Sequence, residues 1–247
     1  MSNSLHDTHF HLDLFNDEVL SIADKIEKEK IYTIAVTNLP PLYNVLIKKL
    51  KNNYQYIRPA LGFHPELIDK YHNLIPQMWE FLSFTKYIGE VGLDYKSGKD
   101  FKTKQVLFFE TLIEKCSIQG GKILTIHSRR SAEDIVSIIG GSFNSKYILH
   151  WYSGNISTLR KAIDNGAYFS INYSMVNSTS GKKIISEIPL DRLLLESDGP
   201  FIKYKNQKFQ PLLVKLIVNE LAKLKNVSLI QMNNILHSNF KNLLTEK

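Results

Sequence analysis

The run ILTIHSRRSAEDIVSIIGGSFNSKYILHWY, residues 123–152, contains one complete unit of the fold. Residues 123–128, ILTIHS, are a short apolar and β-branched run of strand type, and residues 147–152, YILHWY, are another. Between them AEDIVSIIG (132–140) repeats its apolar residues at helical spacing. Strand, helix and strand in about thirty residues make a βαβ unit, whose two strands must run parallel. Each of these strands carries a histidine near its end, His127 and His150.

The same alternation extends in both directions. Candidate strands are 5–12, 32–37, 57–64, 87–94, 123–128, 147–152, 167–172 and 193–198, separated by amphipathic segments that include 41–53 and 101–120. Eight such units in 247 residues predict an α/β fold of the (β/α)8 TIM-barrel type. An open doubly wound sheet is the competing layout, but no glycine-rich dinucleotide loop accompanies the units. Neither a repeat nor a Pro/Gly/Ser-rich hinge divides the chain, so residues 1–247 are expected to form a single domain. The segment SLIQMNNILHSNFKNLL (228–244) predicts an extra C-terminal helix packed on the outside of the barrel.

Composition narrows the function classes. No apolar run is long enough for a membrane span and no secretory signal is visible, which predicts a cytoplasmic protein without a membrane partner. The single cysteine, Cys116, excludes an internal disulfide and reads as a buried small hydrophobe. Thirty-one basic against 24 acidic residues give a net charge of +7, which helps attract a polyanion or simply keeps the surface soluble. The densest basic patch is KYKNQK, 203–208.

In a parallel barrel, side chains alternate between the interior and the helix layer, and reactive groups gather at the C-terminal ends of the strands. His9 and His11 are two residues apart in the first strand and face the same way, with Asp7 one step deeper. Later strands end in His64, in Glu90 and Asp94, in His127 and Arg129, in His150, and in Glu196 and Asp198. So many imidazoles and carboxylates cannot be buried together without a compensating cation. His9, His11, Glu90, His127, His150 and Asp198 therefore form a candidate ligand set that suits two divalent ions sharing a carboxylate, with Glu90 the expected bridge. The mixed nitrogen and oxygen donors accept Mg²⁺, Mn²⁺ or Zn²⁺.

DTHFHLD, GFHPE, GEVGLDY, IHSR, HWYSG and LESDGP follow one another at separations that resemble the TatD-type metal-dependent deoxyribonucleases of the amidohydrolase superfamily, over residues 5–200. The resemblance implies that His9 and His11 hold a first ion with Glu90 bridging, and that His127 and His150 hold a second. It also implies that Asp198 binds the first ion and takes a proton from the attacking water, and that His64 contacts the phosphate. The catalytic residues would then be Asp198, Glu90 and His64, and the implied activity is phosphodiester hydrolysis in DNA, often from a 3′ end, with Mg²⁺ or a similar ion. Some relatives act on other nucleic acids or on aminoacyl-tRNA, and some lie in anti-phage gene clusters. The chain departs from the usual pattern at Trp151, where a small residue is common, and at FQP (209–211), where an Asn-Glu-Pro element is common.

Supporting roles follow from position. Glu196 orients a ligand histidine or forms a salt bridge inside the barrel with Arg129, and Asp7, Asp13, Asp94 and Arg129 are placed around the ligands. Lys203, Lys205 and Lys208 follow the last strand and predict phosphate contacts, with Tyr204 and Phe209 available for stacking on a base of single-stranded DNA. Trp151 and Tyr152 are expected at the barrel mouth. His6, His72 and His237 have no such placement and read as surface or helix histidines. Three rivals stand beside the nuclease: a deacylase of aminoacyl-tRNA, an amidohydrolase of small cyclic amides, and a binding subunit that has kept the barrel. Glu90, where many amidohydrolases carry a modified lysine, argues against the second, and a complete ligand set argues against the third.

Overall fold

The structure, a computed structural model, describes residues 5–51, 53–96 and 102–245. The strands are β1 (His6–Phe10), β2 (Tyr32–Val36), β3 (Ile57–Ala60), β4 (Tyr87–Asp94), β5 (Ile123–Arg129), β6 (Lys146–His150), β7 (Tyr168–Ile171) and β8 (Leu193–Leu195). Between them lie α1 (Val19–Glu29), α2 (Pro40–Leu50), α3 (Ile75–Leu82), α4 (Lys102–Gln119), α5 (Ala132–Ile139), α6 (Ile156–Asp164), α7 (Tyr173–Asn177) and α8 (Thr179–Glu187). A two-residue hairpin, β9 (Lys203–Tyr204) and β10 (Gln207–Lys208), then leads to α9 (Lys215–Leu224) and α10 (Leu229–Leu244). All eight expected strands are present, most of them a residue or more shorter than their apolar runs. Asn52 and Phe101, which fell in expected helices, lie outside the described residues.

The strands pair in parallel as one arc, β1-β2-β3, and a second, β4 to β8 in chain order. Leu61 joins the arcs on one side, its N–H donating to Tyr87 O at 3.0 Å and its carbonyl accepting from Gly89 N at 2.8 Å. The seam between β8 and β1 is made largely by side chains. Thr8 Oγ1 donates to Leu195 O at 3.1 Å, and Leu195 N donates to His6 Nε2 at 3.1 Å. Asp198 N adds a backbone bond to His9 O at 2.9 Å. The result is the closed (β/α)8 barrel that the periodicity predicts. Among the described residues, no helix is long and apolar enough to cross a membrane.

The extra C-terminal helix is present: Met232 and Leu236 pack in the cluster that holds α9, as an outer helix would, while its last turns close one end of the barrel. Phe240 and Leu243 of α10 pack into the cluster of Ile34, Val36, Ala60, Ile123, Ile148, Tyr168 and Leu194, which fills the end of the barrel opposite the histidines. Burying two such side chains is worth roughly 1.5–3 kcal/mol each. The helix starts on a capping box: Gln231 N donates to Ser228 Oγ at 3.2 Å and Ser228 N to Gln231 Oε1 at 2.9 Å. His6 is misplaced by the sequence reading. It is buried, with its ring stacked on Phe240 at 4.5 Å, whereas His72 and His237 are exposed.

Candidate metal centre

Strand alternation turns His9 inward, and the 3-10 turn over Leu12–Glu18 that follows β1 leaves His11 beside it, so that their Nε2 atoms stand 3.2 Å apart. β4 brings Glu90 to both. Its Oε2 lies 3.8 Å from His9 Nε2 and 3.4 Å from His11 Nε2. Asp198, on the residues that continue β8, puts Oδ1 3.8 Å from His9 Nε2 and 3.7 Å from His11 Nε2. The other Glu90 oxygen faces a different set. Oε1 is 2.7 Å from His127 Nδ1, 3.0 Å from His150 Nε2 and 3.6 Å from His64 Nε2. The approach of β4 to β5 depends on Gly92, which pairs with His127 at φ 138° and where a Cβ would stand 2.1 Å from His127 O.

The outward nitrogens are mostly anchored. His9 Nδ1 is 2.7 Å from Thr125 Oγ1, and His127 Nε2 is 2.8 Å from Asp94 Oδ2. With protons on those atoms, His9 Nε2 and His127 Nδ1 present lone pairs to the centre. His64 is arranged the other way round: Glu66 N donates to His64 Nδ1 at 3.3 Å, which leaves Nε2 as an N–H donor toward Glu90. Glu196 is buried and accepts from Trp151 N at 3.1 Å, from Asn172 Nδ2 at 2.8 Å and from Ser170 Oγ, while its Oε2 faces His150 Nδ1 at 3.7 Å. Asp7 is not at the centre but beneath it, where Oδ1 accepts from His9 N at 3.1 Å and Ser197 N at 3.0 Å.

These groups disturb one another's protonation. Burial pushes the Glu90 carboxyl up, but the electrostatic influence of the neighbouring His64 and the hydrogen bonds of His11, His127 and His150 outweigh it and hold the group well below the usual carboxylate range. Burial, aided by the neighbouring His150, holds His9 well below an ordinary imidazole. Burial opposes a charge on His150, but the carboxylates of Glu196, 3.7 Å from Nδ1, and Glu90, 3.0 Å from Nε2, overcome it and drive the group well above an ordinary imidazole. Burial lifts Asp198 to about 7 and Asp7 to about 8. Asp13 is likewise raised by burial, against the pull of His11. The cluster thus holds protons where it is short of positive charge, and a divalent cation would take their place.

The geometry fits such a cation. Donors 2.0–2.2 Å from a tetrahedral ion lie about 3.3–3.6 Å from one another, close to the 3.2–3.8 Å separations measured among His9, His11, Glu90 and Asp198. Two sets built on these residues, His9–His11–Glu90 and His9–His150–Asp198, and a third, His64–Glu90–His127, have their donor atoms within 4.8 Å of one another. The buried Nδ1 atoms of His11 and His150 have no hydrogen-bond partner among the described residues; Glu196 Oε2 stands 3.7 Å from His150 Nδ1.

The expected surroundings are only partly met. A cavity of about 480 Å³ opens over the centre, and Arg129 and Trp151 line it, but Lys203, Tyr204 and Lys205 do not. Arg129 is exposed at the cavity's lip rather than buried beside the ligands, and no bond joins it to Glu196. Tyr152 is in the core, its hydroxyl donating to Asn155 O at 2.8 Å. The chain turns at Trp151, whose φ is 39°, so strand alternation no longer says where the next side chain points. Phe209 is fully buried against Tyr173, and Tyr204 packs edge-on to the same ring at 5.3 Å. Lys203, Lys205 and Lys208 are exposed. Sequence reasoning overlooked Asn38, Leu67 and Phe201, which do line the cavity. For Phe201 a signal existed: it is an apolar residue three positions after Asp198, in a segment otherwise rich in lysine.

Comparison with known proteins agrees with this architecture. An uncharacterized metal-dependent hydrolase of Buchnera aphidicola is 31% identical over 97% of the chain and 98% of its own length. The human deoxyribonuclease TATDN3 is 22% identical over 91% of the chain and 88% of its own length. Among solved structures, the TatD homologue YJJV of Escherichia coli superposes with a TM-score of 0.84 at 21% identity, covering 98% of both chains. A TatD family hydrolase of Entamoeba histolytica superposes at 0.79 and 17% identity, covering 99% of this chain and 100% of that one. These last two likenesses are likenesses of fold. The TatD related DNase family profile spans residues 6–245, and with the barrel, the histidine–carboxylate cluster and these relatives in agreement, the chain belongs to that family.

Proposed function

We propose that this protein is a metal-dependent nuclease that hydrolyses phosphodiester bonds of DNA, working from the 3′ end of single strands with two divalent cations, Mg²⁺ foremost. The observation that carries this reading is the division of Glu90. One carboxylate oxygen faces His9 and His11 and the other faces His127 and His150, so Glu90 would help hold a cation on either side. When bound, the cations supply Lewis acidity, making water nucleophilic near neutral pH and offsetting charge on the phosphoryl oxygens. Asp198 Oδ1, beside the His9–His11 pair, accepts the proton of the attacking water. The Nε2–H of His64 donates to a phosphoryl oxygen as charge builds on it. Asp94 and Thr125 keep His127 and His9 turned so that their inner nitrogens stay unprotonated. A role in DNA repair, turnover or anti-phage defence would follow from such an activity.

The test is a substrate panel of single-stranded DNA, duplex DNA, RNA and charged tRNA, with Mg²⁺ or Mn²⁺ restored after chelation. Shortening of the single strand by the wild-type protein, lost in Glu90→Gln and His127→Ala variants that keep the far-UV spectrum of the barrel, is the expected result. Full activity in either variant or in excess chelator refutes the reading, and ester cleavage of charged tRNA far faster than DNA cleavage replaces it with a deacylase.

A further inference from the structure

Two aromatic side chains at the mouth of the cavity remain open to solvent although they stand on rigid backbone. Trp151 directly follows His150 and is 36% exposed, and its backbone N–H donates to Glu196 Oε1 at 3.1 Å. Phe201 follows Asp198 by three residues and is 59% exposed. Its turn is held at several points: Phe201 N donates to Asp198 O at 3.0 Å, and His11 N to Gly199 O at 3.1 Å. Gly199 packs so closely on the neighbouring chain that a Cβ there would stand 1.9 Å from Phe209 O. These bonds fix the backbone of Phe201 at the mouth, and its ring stands outside the core. It meets the His11 ring edge-on, with centroids 5.1 Å apart, and lines the same cavity as Glu90, His127, His150 and Asp198.

A phenyl ring left in water beside the reacting centre loses apolar burial unless a ligand covers it. The cavity, about 480 Å³, has the size of a small-ligand pocket, and a flat π-face such as a nucleobase covers a phenyl ring by offset stacking. Resting on the nuclease reading, we infer that Phe201 is a specificity-determining residue: its ring stacks on the unpaired base of a nucleotide flanking the scissile phosphodiester. A base inside a duplex is covered on both faces by its neighbours. Stacking on Phe201 requires the base to leave at least one of them, so the ring selects frayed or single-stranded ends over intact duplex. The nearby lysines of the β9–β10 hairpin do not line the cavity and make no such distinction between bases.

The experiment compares wild type, Phe201→Ala, Phe201→Leu and Phe201→Tyr on two fluorescein-labelled single-stranded oligonucleotides in Mn²⁺. One has intact 3′-terminal nucleotides, and in the other the two nucleotides flanking the scissile bond are abasic. On the intact strand Phe201→Ala is expected to lower kcat/KM about 5- to 150-fold, chiefly through KM, Phe201→Leu nearly as much, and Phe201→Tyr to restore most of it. On the abasic strand wild type and Phe201→Ala are expected to differ less than twofold. An equal loss on both strands, or no loss on either, overturns the inference while leaving the nuclease reading intact. A wild-type protein that neither cleaves nor, by fluorescence anisotropy, binds either strand overturns both.

Discussion

Replacing Glu196 separates two roles that a single buried carboxylate performs. Three donors from the ends of two strands, β6 and β7, converge on it: the backbone N–H of Trp151, the Asn172 amide and the Ser170 hydroxyl. In Glu196→Ala all three lose their acceptor in a fully buried site. At about 1 kcal/mol each as a lower bound, the loss is about 3 kcal/mol before any cavity is counted. For a chain of this length that is a fall in Tm of roughly 6–12 °C. Glu196→Gln should behave differently. Trp151 N and Asn172 Nδ2 both bond to Oε1, which the amide oxygen can replace, while the amide N–H₂ takes the place of Oε2. Ser170 can turn its hydroxyl to accept from that group, but His150 Nδ1, 3.7 Å away, loses the carboxylate that favours a proton there. The proton then moves to Nε2, the atom that faces Glu90. Loss of such an orienting partner weakens metal binding about 10- to 100-fold. Thermal melts in chelator and Mn²⁺ titration by calorimetry at pH 7.5 test both halves. A Glu196→Gln protein that binds Mn²⁺ as wild type does, or a Glu196→Ala protein that melts within 2 °C of wild type, would show the reasoning to be wrong.

Stripping the metal with chelator should abolish hydrolysis and lower the melting temperature; restoring Mn²⁺ at about 100 times its dissociation constant adds about 2.7 kcal/mol, or roughly 5–10 °C by differential scanning calorimetry. An unchanged Tm would mean that the folded centre has no preference for the cation. Burial, with a smaller contribution from His237, holds His6 at about 3. Because the folded value is depressed, the unfolded chain binds the proton more readily, so the contribution of His6 is complete above pH 6.5 and falls as pH drops toward 3. Between pH 6.5 and 4 wild type should lose about 3 kcal/mol more than His6→Gln, which keeps an acceptor for Leu195 N, in urea titrations. Equal losses would mean that His6 is protonated in the fold. Tyr152→Phe removes only the bond to Asn155 O, so it should cost about 1 kcal/mol in urea and leave the KM for single-stranded DNA unchanged. A raised KM would return Tyr152 to the substrate path.

The barrel was legible because its signal is repeated eight times and because alternation within a strand is rigid. His9, Glu90, His127 and His150 lie on strands or at their last residue, and there the parity of the sequence is the parity of the side chains. His11 and Asp198 lie just past a strand and still reach the centre, held by the bonds from His11 N to Gly199 O and from Asp198 N to His9 O. Legibility ends where the backbone turns left-handed. After Trp151 and Asp198, with φ of 39° and 47°, the chain leaves the strand's frame. Tyr152 and Phe209 then go to the core while Phe201 stays at the mouth. The placement of His6 and α10 depended on which end of the barrel the last helix covers, and periodicity along the helix does not encode that.

The floor and the seam of the barrel have a consequence for how the chain reaches its native state. His6 stacks on Phe240, and Thr8 reaches Leu195, contacts that join opposite ends of the sequence. Loop-closure entropy makes such distant pairings late events. Until residue 240 has emerged from the ribosome, the apolar plug of Phe240 and Leu243 is missing from the barrel interior. A chain stalled short of that point already carries all eight strands and every candidate ligand up to Asp198, but around an open, apolar shaft, a nascent species suited to chaperone capture or clumping.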